Sequence, residues 1–428
     1  MTDARAKLGR IAAAALLAAA LRLGSPAAAS LLDRQGLGIP PGPLGEVAAL
    51  IEDGRLEEAD ARLRVLQAAL PTDAQVVLVV AELAARRGRV AEAEATLRSA
   101  LETQPGTTAL WRALGRLKAL LGEAEGMAEA FGKAMTARPD EAANPLELAE
   151  LWHERFGQAE RAVPLYERAL RLAPGDGWIR YRYGLALARS GRVADGLVAL
   201  EEASRLAPRS PWPDHARGQL LADLGRPAEA LAAYEEALRR DATAVETRTA
   251  RAAVLLGQGR VANALAEFDQ AVRMTPDFAP AWTGLGMASE QAGNIAAAVR
   301  AYREALARAP NDPVALNNLA WLLALGAGAA EEALDLARRA VALLPQDPAV
   351  ATTLAQALAA TGDAAGAEAA FDRAIALAPT AERHYRRALV RERRGDLAGT
   401  LADLDRALAL DPHHGLARLA RERLATAR

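Results

Sequence analysis

Ten prolines, at positions 71, 105, 139, 174, 208, 276, 310, 345, 379 and 412, stand 33 to 35 residues apart once one missing near Ala242 is allowed for. A fixed period of that length constrains the fold more than any other feature. It predicts a solenoid, in which each unit packs only on its neighbours. That expectation overrides the two or three globular domains that 428 residues would otherwise suggest. The apolar content, 51%, is mostly Ala and Leu with only 4% aromatic, which suits thin layers of closely packed helices. Nothing in the repeated region reads as strand.

The clearest unit runs from Ala279 to Asp312. Trp282, Leu285 and Ser289 fall on one face of a first helix, and Gly286 lets a second helix approach. Gly293 with Asn294 breaks the chain into a tight turn. Ala298, Tyr302 and Ala305 face back from the second helix, and Pro310 ends it. The same register recurs at Trp111, Leu114, Gly115, Phe131, Ala134 and Pro139, and at Leu354, Ala355, Gly362, Ala367, Phe371 and Pro379. This pattern resembles the tetratricopeptide repeat, W-x2-LG-x2-Y followed by A-x3-F-x2-A and a closing proline. The resemblance implies an all-α fold: an α-solenoid of about eleven helical hairpins in a right-handed superhelix. The units end near residues 71, 105, 139, 174, 208, 242, 276, 310, 345, 379 and 412. They fill an array over 44–414, followed by a C-terminal capping helix at 415–428 whose apolar face is Leu416, Leu419, Ala420 and Leu424.

Departures from the period carry their own expectations. The units ending at Pro174 and Pro345 are 35 residues long, and the extra residue is expected at the turn inside each hairpin. Pro164 lies inside a second helix and predicts a kink or bulge near Val163. The first unit, Leu44 to Pro71, has a short first helix and reads as an N-terminal cap.

The N-terminus has a basic start (Arg5, Lys7, Arg10), an apolar run from Ile11 to Leu21, and small residues at Ala27-Ala28-Ala29. Residues 1–29 therefore read as a signal peptide, with periplasmic localisation as the expectation. An uncut membrane anchor is a second reading, weakened because the run falls short of the roughly 20 residues a span needs. A disordered cytoplasmic tail is a third. Residues 30–43, rich in Gly and Pro, read as a flexible linker.

Catalytic material is sparse. The chain has no cysteine, and none of His153, His215, His384, His413 and His414 sits in a metal-binding spacing. There is no phosphate-binding or nucleophile-elbow motif. No cofactor and no enzyme activity are expected. Basic residues (52) and acidic residues (54) are interspersed, so no basic stripe exists to track nucleic acid.

A protein partner is the expectation that remains. In tetratricopeptide-repeat proteins the first helices line an inner groove that takes extended peptides or partner helices. Carried onto this sequence, the resemblance places Trp178, Tyr181, Arg182, Trp212, His215 and Gln219 on that wall, with Thr283, Met287, Asn317, Asn318 and Trp321 further along. Arg112 and Arg116, followed by Glu147, Glu150, His153 and Glu154, read as a solvated mixed-charge face. Trp282 and Trp111 read as core. Of the wall positions used by chaperone-binding relatives to clamp an acidic C-terminus, only Asn318 carries a matching residue. The stretch Leu316 to Ala324 is similar to repeats of bacterial envelope proteins. The leading expectation is a periplasmic, non-catalytic adaptor of an envelope assembly or export system. A cytoplasmic regulator or co-chaperone-like adaptor, and an enzyme's accessory subunit, are the alternatives.

Overall fold

A computed structural model describes residues 42–326 and 329–426. The expected signal peptide and all but the end of the linker lie outside the described residues. Those described form an all-α solenoid of consecutive hairpins and contain no strand. The chain divides within the sixth hairpin into two compact units. One comprises the described part of Leu23–Leu224 with Glu235–Ala242, the other Gly225–Tyr234 with Thr243–Arg428.

Each hairpin is built by the same local chemistry. After a closing proline, an aspartate begins several first helices: Asp176 accepts from Trp178 N at 2.8 Å and Ile179 N at 3.0 Å, and Asp312 accepts from Val314 N at 2.9 Å. These bonds satisfy amide donors that a helix start leaves without partners. The turn to the second helix needs a left-handed residue, and Gly293 supplies it at φ 79°. Asn294 N then closes back on Ser289 O at 2.9 Å. Packing selects small residues on one helix against a ring on the other. A Cβ on Gly286 would stand 2.5 Å from the Tyr302 ring, and one on Gly115 would stand 2.5 Å from Phe131. Tyr302, Phe131, Tyr166, Tyr234, Phe268 and Phe371 are all fully buried, each on a second helix.

The tryptophans at the signature position are half-buried and also bonded. Trp111 and Trp282 donate their indole N–H to the carbonyls of Pro105 and Pro276 at 2.8 Å. The period is thereby tied into the tertiary structure. Arginines of second helices extend the tie: Arg339 reaches Pro310 O and Arg373 reaches Pro345 O, each at 2.6 Å.

Of the expectations for the irregular units, two are corrected and one holds. The extra residue before Pro174 lies in a π-helical turn, Leu151–Arg155, at the end of the first helix Ala143–Glu150. Second helix Ala159–Leu172 runs as α-helix through Pro164, with no bulge at Val163. Pro164 is exposed and near the helix start, so water can serve the carbonyl it leaves unbonded. In the unit ending at Pro345, the second helix starts one residue later after its opening proline, Pro310 to Ala330 against Pro276 to Ile295. That places the extra residue between the two helices, as expected.

The ends also differ. The first helix among the described residues is Pro43–Glu52, with proline in its first turn, so the array takes in the end of the expected linker. In the last helix, Gly415–Thr426, Ala417 is buried with Ala420 and Leu424 packed beside it. Leu416 and Leu419 are 54% and 64% exposed, so the inward face is rotated from the one read in the sequence. No helix among the described residues is long and apolar enough to cross a membrane.

Candidate functional site

The most exposed large aromatics of the array are Trp178 at 50% and Trp212 at 41%. Each sits at the start of a first helix, Gly177–Arg189 and Trp212–Asp223, at the same distance from its preceding proline, Pro174 or Pro208. Three residues on, the ring recurs. Trp178 meets Tyr181 with centroids 5.4 Å apart, and Trp212 meets His215 edge-on at 5.7 Å. Two consecutive repeats thus carry an aromatic pair at matching positions within one compact unit, but His215, expected on the open wall, is buried under Trp212 at 6% exposure. Gln219 lies one turn beyond His215 and is buried.

Ion pairs between successive first helices hold this wall. Glu147 accepts from Arg112 at 2.7 Å and also pairs with Arg116. Arg182 lies 3.6 Å from Glu150, pairs with Glu154, and sits 5.5 Å from the Trp178 ring centroid. Arg112 and Arg116 are largely buried and His153 is 2% exposed, so the face is an interlocked ladder rather than a solvated one. Burial raises the Glu150 carboxyl to about 7. Arg182 opposes that rise, while the neighbouring carboxylates of Glu154 and Glu147 add to it.

His153 and His215 are shifted the other way. Burial lowers His153 to about 3, helped by the positive charges of Arg189 and Arg182, and lowers His215 to about 4. Both ring nitrogens of His153 are buried with no hydrogen-bond partner among the described residues. A folded-state value below the unfolded one means the contribution to stability is present above the unfolded value of about 6.5 and is lost as pH falls. Between pH 7 and 5, His153 should remove about 2 kcal/mol from this unit. Glu150, raised in the fold, should act oppositely and lend stability as pH falls through 7. Thermal unfolding of a His153→Leu variant should show a clearly weaker loss on acidification. An unchanged pH profile would show that His153 does not stay neutral in the fold.

The wall residues in the other unit are placed less openly. Thr283 is fully buried and donates to Asp312 Oδ2 at 2.6 Å, locking successive repeats. Met287 packs into the core. Asn317 is buried and donates to Asn318, which donates to the Tyr302 hydroxyl at 3.2 Å, which in turn reaches Glu290. These four side chains serve the packing of the array because the neighbouring repeat covers the face they occupy. Trp321 is half-buried beneath the Arg386 guanidinium, 4.6 Å from the ring centroid, and Arg386 also bonds Gln356 at 3.2 Å. Sequence reasoning missed Arg386, which comes to Trp321 from two repeats further along, and Gln356, which holds it from the repeat between. A shallow cleft of about 250 Å³ elsewhere is lined by aliphatic residues such as Leu354 and Leu358, with Arg373 at its edge.

Family profiles described as tetratricopeptide repeat match residues 50–117, 154–219 and 324–391, and a second set with the same description matches 215–279, 249–313 and 283–348. The chain belongs to the tetratricopeptide-repeat family. No curated protein matches its sequence. Among solved structures, it is similar to YrrB, described as a TPR protein with an unusual peptide-binding site. That likeness has 24% identity and a TM-score of 0.36, over 45% of this chain and 98% of that one. It is also similar to the Cut9-Hcn1 hetero-tetramer of APC/C, at 14% identity and a TM-score of 0.47, over 88% of this chain and 95% of that one. A third likeness, to Naa15/Naa10 bound to HypK-THB, has 17% identity and a TM-score of 0.37, over 89% of this chain and 65% of that one. In this tetratricopeptide-repeat chain no group of His, Asp or Glu among the described residues is arranged to hold a metal ion.

Proposed function

We propose that this protein is a non-catalytic interaction scaffold, and that partners dock on the first-helix wall at Trp178 and Trp212. The observation that carries it is the exposure of two tryptophans at one repeat position, where the hairpin needs neither for its own packing. A photo-crosslinking side chain at either position should trap partner proteins in cells. The same group at Val198, exposed on second helix Val193–Leu206, should trap far less. Equal yields at all three positions would overturn the docking assignment.

The compartment we propose is the periplasm, with the protein serving an envelope assembly or export system. Support comes from the basic, apolar and small-residue order of residues 1–29 and from the envelope-like stretch Leu316 to Ala324. Fractionation with N-terminal sequencing tests it. An uncut chain in the cytoplasm would transfer the same scaffold role to a cytoplasmic regulator.

A further inference from the structure

We propose that the aliphatic cleft beside Arg373 binds an alkyl carboxylate, with its chain on the apolar floor and its head group on the guanidinium. The cleft, of about 250 Å³, is floored by Leu344, Ala351, Leu354, Leu358, Ala369 and Ala370. It lies where second helix Ala330–Leu343 meets the next hairpin, Pro348–Ala360 and Ala364–Leu377. None of these residues belongs to the tryptophan wall.

Two adjacent positions make the site. Ala369 and Ala370 stand where the preceding second helix has Asp335 and Leu336, counting from the helix starts at Ala364 and Ala330. Leu336 is buried, so an alanine at its place takes most of a side chain out of the seam and leaves space beside it. Asp335 lies 3.8 Å from Arg339, which also donates to Pro310 O. Arg373 is the equivalent arginine and makes the equivalent bond, to Pro345 O at 2.6 Å, but has Ala369 in place of the acid. The acids nearest it on its own helix are engaged elsewhere, Glu368 by Arg391 and Arg394, and Asp372 by Arg387. Arg373 thus has no carboxylate partner among the described residues. The same pair of alanines opens an apolar space and leaves the cation at its edge without a counter-ion.

That combination selects the occupant. A guanidinium keeps several N–H donors after bonding one carbonyl, enough to take a carboxylate. No other side chain of the lining can hydrogen-bond. A peptide laid in the cleft would therefore leave amide groups without partners, a penalty an alkyl chain avoids. An apolar cavity of about 150 Å³ takes benzene, so about 250 Å³ has room for a chain of roughly eight to ten carbons.

The test is calorimetric titration of the full-length protein with octanoate, with octanol, octylammonium and trileucine run beside it. Octanoate should bind saturably at about 0.1 to 1 mM and about threefold or more tighter than octanol. From butanoate to octanoate, each methylene should tighten binding about three- to fourfold. Arg373→Gln should erase the preference for octanoate over octanol, and so should Ala369→Asp, which returns the acid that Arg339 has. Ala370→Leu, which returns the side chain of the preceding repeat, should weaken both ligands about tenfold. Circular dichroism checks that each variant folds. No saturable octanoate binding up to about 10 mM would overturn the proposal. So would octanol or octylammonium binding as tightly as octanoate, or octanoate binding unchanged in Arg373→Gln and Ala370→Leu. Tighter binding of trileucine would assign the cleft to a peptide C-terminus and also overturn it.

Discussion

Asp403→Ala should destabilise the last hairpin by about 3–5 kcal/mol, the usual cost of removing one partner from a buried ion cluster. Asp403 is 1% exposed at the centre of such a cluster. Its carboxylate meets His384 at 3.0 Å, Arg387 at 2.5 and 2.8 Å, and Arg391 at 2.9 Å. Arg387 and Arg391 extend the network to Asp372 and Glu368 on second helix Ala364–Leu377. Relative to the repeat starting at Ala279, His384, Arg387 and Asp403 stand where Trp282, Leu285 and Ala301 stand. The last repeat has an ionic core where the earlier one has an apolar core. Burial raises the Asp403 carboxyl, but the hydrogen bonds from Arg387 and His384 outweigh it and hold the group below the ordinary carboxylate range. Its contribution is therefore present above the unfolded value near 4 and is lost only as pH falls below that. Protease sensitivity of Ala381–Thr426, with denaturant unfolding, measures the effect. The triple change His384→Trp, Arg387→Leu and Asp403→Ala, which restores the apolar pattern, should be neutral or stabilising. If Asp403→Ala changed nothing, the cluster would be no more than surface charge.

Trp178→Ala and Trp212→Ala should each cost about 2 kcal/mol or more of partner binding, roughly a thirtyfold loss. Both rings are close to half exposed, so their removal leaves little cavity and helix content should hold. Tyr181 is more enclosed, and burial raises its hydroxyl above the ordinary range, so its replacement mixes lost binding with lost packing. The two tryptophan losses need not add, because the rings share one occupant. Binding measured by calorimetry, with circular dichroism as the folding control, separates the outcomes. Full affinity in both variants would remove these residues from the interface. Loss of cooperative unfolding would make them core.

The wall was only partly legible in the sequence. Repeat register marks Trp178 and Trp212 as rings the hairpin does not require, and the structure leaves both exposed. The same register also put Thr283, Met287 and Asn317 on the wall, where the structure buries Thr283 and Asn317 and packs the half-buried Met287 against the core. Register gives the direction of a side chain from its own helix. It does not say how closely the next helix covers that side chain.

What the sequence determined by itself was the repeat: proline stops, a left-handed glycine turn and an alanine-aromatic seam act within one hairpin, so spacing alone specifies them. Only the tertiary structure decided the π-helical turn at Leu151–Arg155, the ion ladder from Arg112 to Arg182, Arg386 over Trp321, and the buried Asp403. These depend on how far one repeat stands from the next. That distance is fixed by the packing of side chains that never meet within a single unit.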